Sequence, residues 1–256
     1  MAAIDILPDT GALAAAAAER ITSLAEEAVA ERGHAFVALT GGRTPRTLYT
    51  LLADSTRPWC ARMPWARLHV IWGDERAVPP GHPDSNFGMA YEALLQHVPV
   101  PAAQIYRMPG ELPDSADAAR VYEATLRRAC AAANRAPGAC DVMLLGIGED
   151  AHIASIFPGS ALLDCTAPPD ALVAAVWAPH LHAWRITLTP DVITGASTIT
   201  VIAEGPAKAP AIEAAIEAPD DVARWPAQLL RRAGDRVRWM VDEAAAARLS
   251  RGGRRA

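Results

Sequence analysis

The chain reads as an α/β protein, a doubly wound, mostly parallel sheet with helices on both faces. Three observations carry this reading. Short apolar runs alternate with longer amphipathic segments along the sequence, which is the pattern of strand–helix units. The clearest run, Val142 to Leu145, is apolar at every position, as a strand covered on both faces is. Finally, apolar runs stop at glycine-bearing turns, at Gly41-Gly42, at Gly73 and at Gly146 and Gly148. Open α/β sheets hold ligands just beyond the carboxyl ends of their strands.

The elements follow in order. Residues 11–32 form an Ala-rich amphipathic helix that stops at Gly33, and Ala35 to Leu39 is a strand. Thr40 to Pro45 is a loop, with Pro45 in the first turn of a helix over 46–53. Leu68 to Trp72 is a strand followed by a long polar loop, Gly73 to Ser85, and a helix over 86–97. Asp84 or Ser85 is the expected N-cap of that helix. Gln104 to Met108 is a weak strand, 115–134 a helix, and Val142 to Leu145 the most apolar strand. Leu172 to Trp177, Arg185 to Leu188 and Thr198 to Ala203 are β-rich. Helices around 206–218 and 226–233, a strand over 236–241 and a helix over 242–250 complete the list. The tail Arg251-Gly-Gly-Arg-Arg-Ala256 is expected to fray. No Ser/Gly linker, charge block or internal repeat divides the 256 residues. One domain over 1–256 is the simplest reading, and two subdomains meeting around 160–180 are the alternative.

Composition removes several functional classes. A net charge of −5 is unlike a chain built to coat nucleic acid. An anionic ligand would therefore be drawn by a few local cations rather than by the global field. Cys60, Cys130, Cys140 and Cys165 lack Cys-x-x-Cys spacing and an accompanying His cluster, so no zinc site is expected. They read as reduced thiols of a cytoplasmic protein. The N-terminus lacks the basic and apolar regions of a signal peptide, and Ala14 to Ala18 is too short to span a bilayer.

Four segments carry chemistry. In Leu144-Leu-Gly-Ile-Gly-Glu-Asp-Ala-His152, a buried strand releases a carboxylate and an imidazole together, and His is the default general base near neutrality. A helix-capping turn is the plainer reading of this piece taken singly. Thr40-Gly-Gly-Arg-Thr-Pro45 lies between a strand and a helix, where free N–H groups and close backbone approach suit an anion, most naturally phosphate. Thr40, Arg43 and Thr44 add donors, although a plain tight turn fits the loop equally well. It is neither a Walker loop nor Gly-x-Gly-x-x-Gly, which argues against ATP and dinucleotides. Trp72-Gly-Asp-Glu-Arg76 places three charges at a strand end, where they must pair or hold a ligand. Arg185 stands inside a β-type run, and Lys208 near a helix start opposes the helix dipole.

Taken together, these segments resemble the 6-phosphogluconolactonase family, relatives of the glucosamine-6-phosphate deaminase/isomerase group. The matching stretches are Leu39-Thr-Gly-Gly-Arg-Thr-Pro-Arg-Thr-Leu-Tyr49, Trp72-Gly-Asp-Glu-Arg-Ala-Val-Pro79 with His82-Pro-Asp-Ser-Asn86, Leu144 to Pro158, and Arg185-Ile-Thr-Leu-Thr189. Glu204-Gly-Pro-Ala-Lys208 matches more weakly. The resemblance implies a Rossmann-like fold and hydrolysis of 6-phosphoglucono-δ-lactone, with no metal and no cofactor. It implies that His152 activates water, Asp150 orients His152, and Arg76 meets the sugar acid or the developing oxyanion. Gly41, Gly42, Arg43 and Thr44, with Arg185 and Lys208, would hold the phosphate, while Asp74 and Glu75 fix Arg76 and its loop. The partner is then a small sugar phosphate rather than a nucleic acid or a membrane. A monomer is expected, with a weak dimer as the alternative. Two positions depart from the family pattern: Ala151 stands where Gly is usual and Ile153 where Thr is usual. Ala151 suits the turn only if φ there is negative.

Two rivals remain. The amino-sugar phosphate deaminases continue after His with Ala-Phe-Asn-Glu-Pro, whereas this chain reads Ala154-Ser-Ile-Phe-Pro158 and offers no carboxylate. Their second strand also ends Asp-Glu-Tyr rather than Asp-Glu-Arg. A sugar-phosphate sensor would need a DNA-binding segment, and the first 34 residues hold one helix and no helix-turn-helix.

Overall fold

The computed structural model describes residues 3–164, 170–250 and 254–255. Its main layer is a seven-stranded sheet ordered β10-β1-β9-β8-β5-β2-β3, every pair of which is parallel. The strands are β1 (Ala3–Leu7), β2 (Ala35–Leu39), β3 (Leu68–Trp72), β5 (Val142–Leu145), β8 (Thr198–Ala203), β9 (Val237–Asp242) and β10 (Arg254–Arg255). A second, three-stranded antiparallel sheet is ordered β4-β7-β6, from β4 (Asp74–Arg76), β6 (Val173–Ala178) and β7 (Ala183–Leu188).

Strands β2 and β5 are buried at every position, which explains their uninterrupted apolar sequences. The long helix α1 (Thr10–Arg32) is capped by Asp9, whose side chain accepts from the Ala12 N–H at 2.8 Å, and it ends at Gly33 with φ of 78°. Helix α1 packs on α2 (Arg43–Ala53) and on the middle strands. Connections that move one way along the sheet, through α1 and α2, cover one face when crossovers are right-handed. Those that move the other way run through α5 (Ser115–Ala132), α6 (Pro190–Gly195) and α7 (Ala209–Ile216) and cover the opposite face. Chain direction reverses between β2 and β5. A crevice therefore opens at the carboxyl ends of these two neighbours.

Two tyrosines fix the strand ends beside that crevice. The buried Tyr49 hydroxyl donates to the Thr40 carbonyl at 2.8 Å and accepts from the Thr40 N–H at 2.9 Å. The Tyr122 hydroxyl accepts from the Trp72 N–H at 2.9 Å. Burial pushes both phenols above their ordinary range, so they remain protonated donors. Gly73 joins the two sheets, its N–H donating to Leu39 and its carbonyl accepting from Leu188, each at 2.9 Å.

Several sequence expectations need correction. Strand β1 was not anticipated, because half-exposed residues interrupt its apolar positions. Strand β4 was not anticipated either, because its residues are all charged and its partner is distant in sequence. One further short helix, α3 (Pro58–Arg62), is present, and the helix expected over 86–97 begins as α4 (Asn86–Ala90) and widens over 91–95 instead of running on as a regular helix to 97. Residues 104–108 contribute one bridge, Ile105 to Val70, rather than a strand. The helix expected over 242–250 is a series of turns. Asp242 still belongs to β9, and its carboxylate is occupied by the N–H groups of Gly205 and Ala245. Arg254 and Arg255 pair with Asp5 and Ile6 where fraying was expected. Cys60, Cys130 and Cys140 are free thiols, whereas Cys165 lies outside the described residues.

Removing the Tyr49 hydroxyl would strip a buried backbone N–H of its partner. Tyr49→Phe is therefore expected to cost about 1–3 kcal/mol. Urea unfolding monitored by tryptophan fluorescence measures this, and an unchanged midpoint would contradict it.

Candidate active site

The chain leaves β5 at Leu145 and turns sharply over Gly146 to His152. The turn is closed by Gly148 N–H to the His152 carbonyl at 2.9 Å and Ala151 N–H to the Gly148 carbonyl at 3.1 Å. It brings Asp150 and His152 together, with His152 Nδ1 lying 2.6 Å from Asp150 Oδ1. The same oxygen accepts from the His152 backbone N–H at 3.2 Å. Burial pushes the Asp150 carboxyl up, but the His152 bond and charge outweigh it and hold the pKa at about 2. An ionised Asp150 keeps the proton on Nδ1 and leaves Nε2 as the basic nitrogen. Side-chain exposures of 32% for His152 and 39% for Asp150 leave the pair open to a ligand. A Cβ at Gly148 would sit 2.0 Å from His152 Nδ1 and 2.4 Å from Asp150 Oδ1. Glycine is required there by space, not by its backbone angles.

Ala151 has φ of 62° and Ala154 has φ of 47°. The condition under which alanine would suit position 151 is therefore not met: the turn demands the left-handed region. Ala151 is fully buried, and its carbonyl accepts from the Ala227 N–H at 2.9 Å. Ile153 is also fully buried among apolar neighbours, so at this position a core side chain replaces a hydroxyl.

The small sheet presents one face to this loop. On that face Asp74 lies opposite Thr187, and one rung further Arg76 lies opposite Arg185. Alternation along a strand puts both rungs on the same side, about 7 Å apart. The first rung holds the loop that carries His152. Ser155 Oγ donates to Asp74 Oδ2 at 2.6 Å, and Ser155 N–H donates to Thr187 Oγ1 at 3.3 Å. Asn86 Nδ2 donates to the Asp74 carbonyl at 2.9 Å and to Asp74 Oδ1 at 3.2 Å. Asn86 also packs on Gly41 so closely that a Cβ there would lie 1.7 Å from its Oδ1. Neither Asn86 nor Ser155 was assigned a role from sequence. The available signal was the pairing of a side-chain-free Gly41 with the polar Asp-Ser-Asn run.

The second rung sets two guanidiniums side by side. Burial lowers the Arg185 pKa, and the Arg76 charge lowers it further, against the raising influence of Asp74, Asp84 and Glu75. Like charges directly opposite are unfavourable unless an anion joins them. Arg76 is braced by a bond to the Asp84 carbonyl. Glu75 points to the other face, where it accepts from the N–H groups of Arg76, Asn86 and Phe87 and from Ser85 Oγ at 2.7–3.0 Å. Burial raises its pKa, those backbone bonds pull it back, and the Asp74 charge pushes it up. Ser85 is the N-cap of α4, accepting from Gly88 N–H at 3.0 Å. Glu75 thus fixes the loop carrying Arg76.

The glycine loop after β2 and the segment after β8 flank the His152 turn, because β5 lies between those strands. Gly42 has φ of 112° and precedes α2, whose first residue is Arg43. Arg43 Nε lies 3.0 Å from Glu204 Oε1, the arginine side chain being largely exposed and the carboxylate buried. Thr44 is half-buried in the first turn of α2. Lys208 is half-buried at the start of α7, and among the described residues it has no ion-pair partner. Gly41, Gly42, Thr44, Lys208, His152 and Asp150 all arise from the crevice edge of the large sheet, with Arg76 and Arg185 coming from the small one.

The chain is similar to known proteins. Residues 8–239 match the family model described as glucosamine-6-phosphate isomerases/6-phosphogluconolactonase. A 6-phosphogluconolactonase of Nostoc sp. is 38% identical over 252 residues, covering 96% of this chain and 98% of its own. One from Mycobacterium tuberculosis is 37% identical over 251 residues, with the same two coverages, 96% and 98%. The solved 6-phosphogluconolactonase of Trypanosoma brucei superposes with a TM-score of 0.80 at 26% identity, over 98% of this chain and 99% of that one. A monomeric glucosamine-6-phosphate deaminase superposes at 0.78 with 21% identity, over 97% of this chain and 100% of that one, and shares the fold.

Two outcomes are expected. In Ala151→Gly, relief of a left-handed alanine returns about 1–2 kcal/mol. The lost buried methyl costs about 0.8 kcal/mol, and glycine's unfolded-state freedom about 0.5–1 kcal/mol. The variant should therefore unfold within about 1 kcal/mol of the parent, whereas Ala151→Val, β-branched and without space, should lose more than about 2 kcal/mol. Equal denaturation midpoints for Gly and Val would refute the strain argument. The second outcome concerns Asp150, whose ordinary value of 3.8 is depressed to about 2. Its contribution to stability is present above pH 4 and is lost as pH falls through 2. The stability gap between the parent and Asp150→Asn should shrink across that window in urea titrations, and a gap that widened would reverse the sign.

Proposed function

The chain belongs to the glucosamine-6-phosphate isomerase/6-phosphogluconolactonase family, and from that membership we propose that it hydrolyses 6-phospho-D-glucono-1,5-lactone to 6-phosphogluconate in the oxidative pentose phosphate pathway. The observation that carries the reading is the Asp150–His152 pair together with two opposed arginines, Arg76 and Arg185, that have no ion-pair partner among the described residues.

In this reading His152 Nε2 takes a proton from water as the water oxygen bonds to the lactone C1. The C1 carbonyl oxygen becomes an oxyanion, and the Arg76 guanidinium offsets its charge. The tetrahedral species collapses by breaking the bond from C1 to the ring oxygen. His152, now protonated, returns the proton to that oxygen. Asp150 stabilises the imidazolium between the two transfers. Arg185, Lys208 and the N–H groups at Gly41, Gly42 and Thr44 hold the phosphate, so remote binding energy places the carbonyl against the water. Arg43, engaged by Glu204, serves as a brace across the mouth of the site. No covalent nucleophile is needed. Ser155 is buried and spends its hydroxyl on Asp74.

The deaminase alternative is disfavoured by Phe157. That position aligns with the Glu of the deaminase pattern, and its ring lies 4.8 Å from the His152 ring. An apolar ring there cannot supply the second acid/base group. Among the described residues no helix is long and apolar enough to cross a membrane. The reading places the enzyme in the cytoplasm, working as a monomer or a weak dimer.

Purified protein should accelerate the loss of lactone generated in situ from glucose 6-phosphate, and it should release no ammonia from glucosamine 6-phosphate. His152→Ala should lower kcat by at least about 100-fold, with 6-phosphogluconate binding retained by calorimetry. Arg185→Ala should chiefly raise KM. A folded sample without lactonase activity would sink the proposal.

A further inference from the structure

The hairpin between β6 and β7 reaches over the His152 turn. Its tip, Pro179 to His182, is closed by His182 N–H to the Pro179 carbonyl at 3.3 Å, with His182 left-handed at φ of 46°. Just below the tip, Trp177 and Trp184 lie directly opposite each other, and their rings meet edge-on at 5.6 Å. This pair clamps the two strands and fixes where the tip points. From the tip, the exposed His180 ring meets Phe157 edge-on at 5.0 Å, with an interplanar angle of 72°. Phe157 is only 6% exposed, and its own ring meets His152 at 4.8 Å and 50°. Three rings thus run from the hairpin tip to the catalytic imidazole.

We propose that His180 is a positioning residue for proton transfer at His152, acting through Phe157. The inference rests on the lactonase reading above. The Asp150 bond fixes His152 Nδ1 but leaves the imidazole free to swing about that contact, because a terminal torsion onto a planar ring is broad. Where Nε2 points then depends on what packs against the ring. Phe157 limits the swing on one side, and His180 limits Phe157. Edge-to-face contact between aromatic rings is directional, so the hairpin transmits an angle as well as filling space. A displacement near 1 Å at a proton-transferring atom costs up to about 100-fold in rate. Partial loosening through one intermediary should cost less.

The test compares His180→Ala, His180→Phe and the parent. Because His180 is exposed, neither variant threatens folding, and a thermal melt verifies this. His180→Ala should lower kcat about 3- to 10-fold while KM stays within about twofold, and His180→Phe, which restores a ring, should return kcat to within about twofold of the parent. In parallel, the His152 ring proton signals in NMR should broaden or shift in His180→Ala and recover in His180→Phe. An unchanged kcat in His180→Ala would overturn the proposal. So would a raised KM with kcat intact, which would make His180 a substrate contact, or a failure of phenylalanine to rescue. A parent protein with no lactonase activity would sink the functional reading instead, and the NMR comparison would then decide the ring coupling by itself, with unchanged His152 signals counting against it.

Discussion

The buried Asp74 carboxylate is the joint on which the site depends. One oxygen takes the Ser155 hydroxyl at 2.6 Å, and the other, with the backbone carbonyl, takes the Asn86 amide. Ser155 belongs to the loop that carries His152, and Asn86 seats on Gly41 of the glycine loop after β2. Three loops from two sheets therefore meet at one side chain that is 7% exposed. A carboxylate buried without an ion-pair partner is costly unless its oxygens are filled. That cost works as a constraint, because the loops must close in this one way for Asp74 to be satisfied. Residues that never touch substrate in the proposed reaction thereby fix the separation between base and cations.

That separation divides the labour between the sheets. The large parallel sheet supplies the dyad, the glycine loop and Lys208 at one crevice, and the small antiparallel sheet supplies Arg76 and Arg185. Opposed arginines are an electrostatic cost in the free protein that Asp74, Asp84 and Glu75 offset in part, and an anion between or beside them would relieve it further. The field is thus built in before substrate arrives, consistent with a chain whose net charge of −5 gives no global attraction. Arg43 differs. Its Nε contacts Glu204 at 3.0 Å while the rest of its side chain stays exposed to solvent.

How much of this was legible in the sequence follows from where each signal is stored. Val142 to Leu145 is legible because burial on both faces leaves an unbroken apolar run, and the Gly-Glu-Asp-Ala-His turn is legible because chemistry and backbone geometry coincide there. Strand β4 is not, since Asp74, Glu75 and Arg76 become strand only by pairing with residues far along the chain. The same holds for Asn86 and Ser155, whose roles are tertiary hydrogen bonds that leave no periodicity. The turns after β9 read as helix because alanine propensity is local, whereas the Asp242 carboxylate that holds them is committed to Gly205 elsewhere. Local propensity yields when a buried polar group has its own demands.

The glycines of the Gly146–His152 turn sharpen the point. A motif read as Gly-x-Gly invites the view that both glycines serve backbone freedom, yet the positive φ falls on Ala151 and Ala154, not on Gly146 or Gly148. Gly148 is fixed by the space that the Asp150–His152 pair occupies. Ala151 tolerates its strained backbone because its methyl is fully buried and its carbonyl is bonded to Ala227. A substitution at position 151 is thus a trade between strain and packing of similar size, whereas one at 148 collides directly with the Asp150 and His152 side chains. Departure from a family pattern at the first position is therefore compatible with an intact site, and departure at the second would dismantle it.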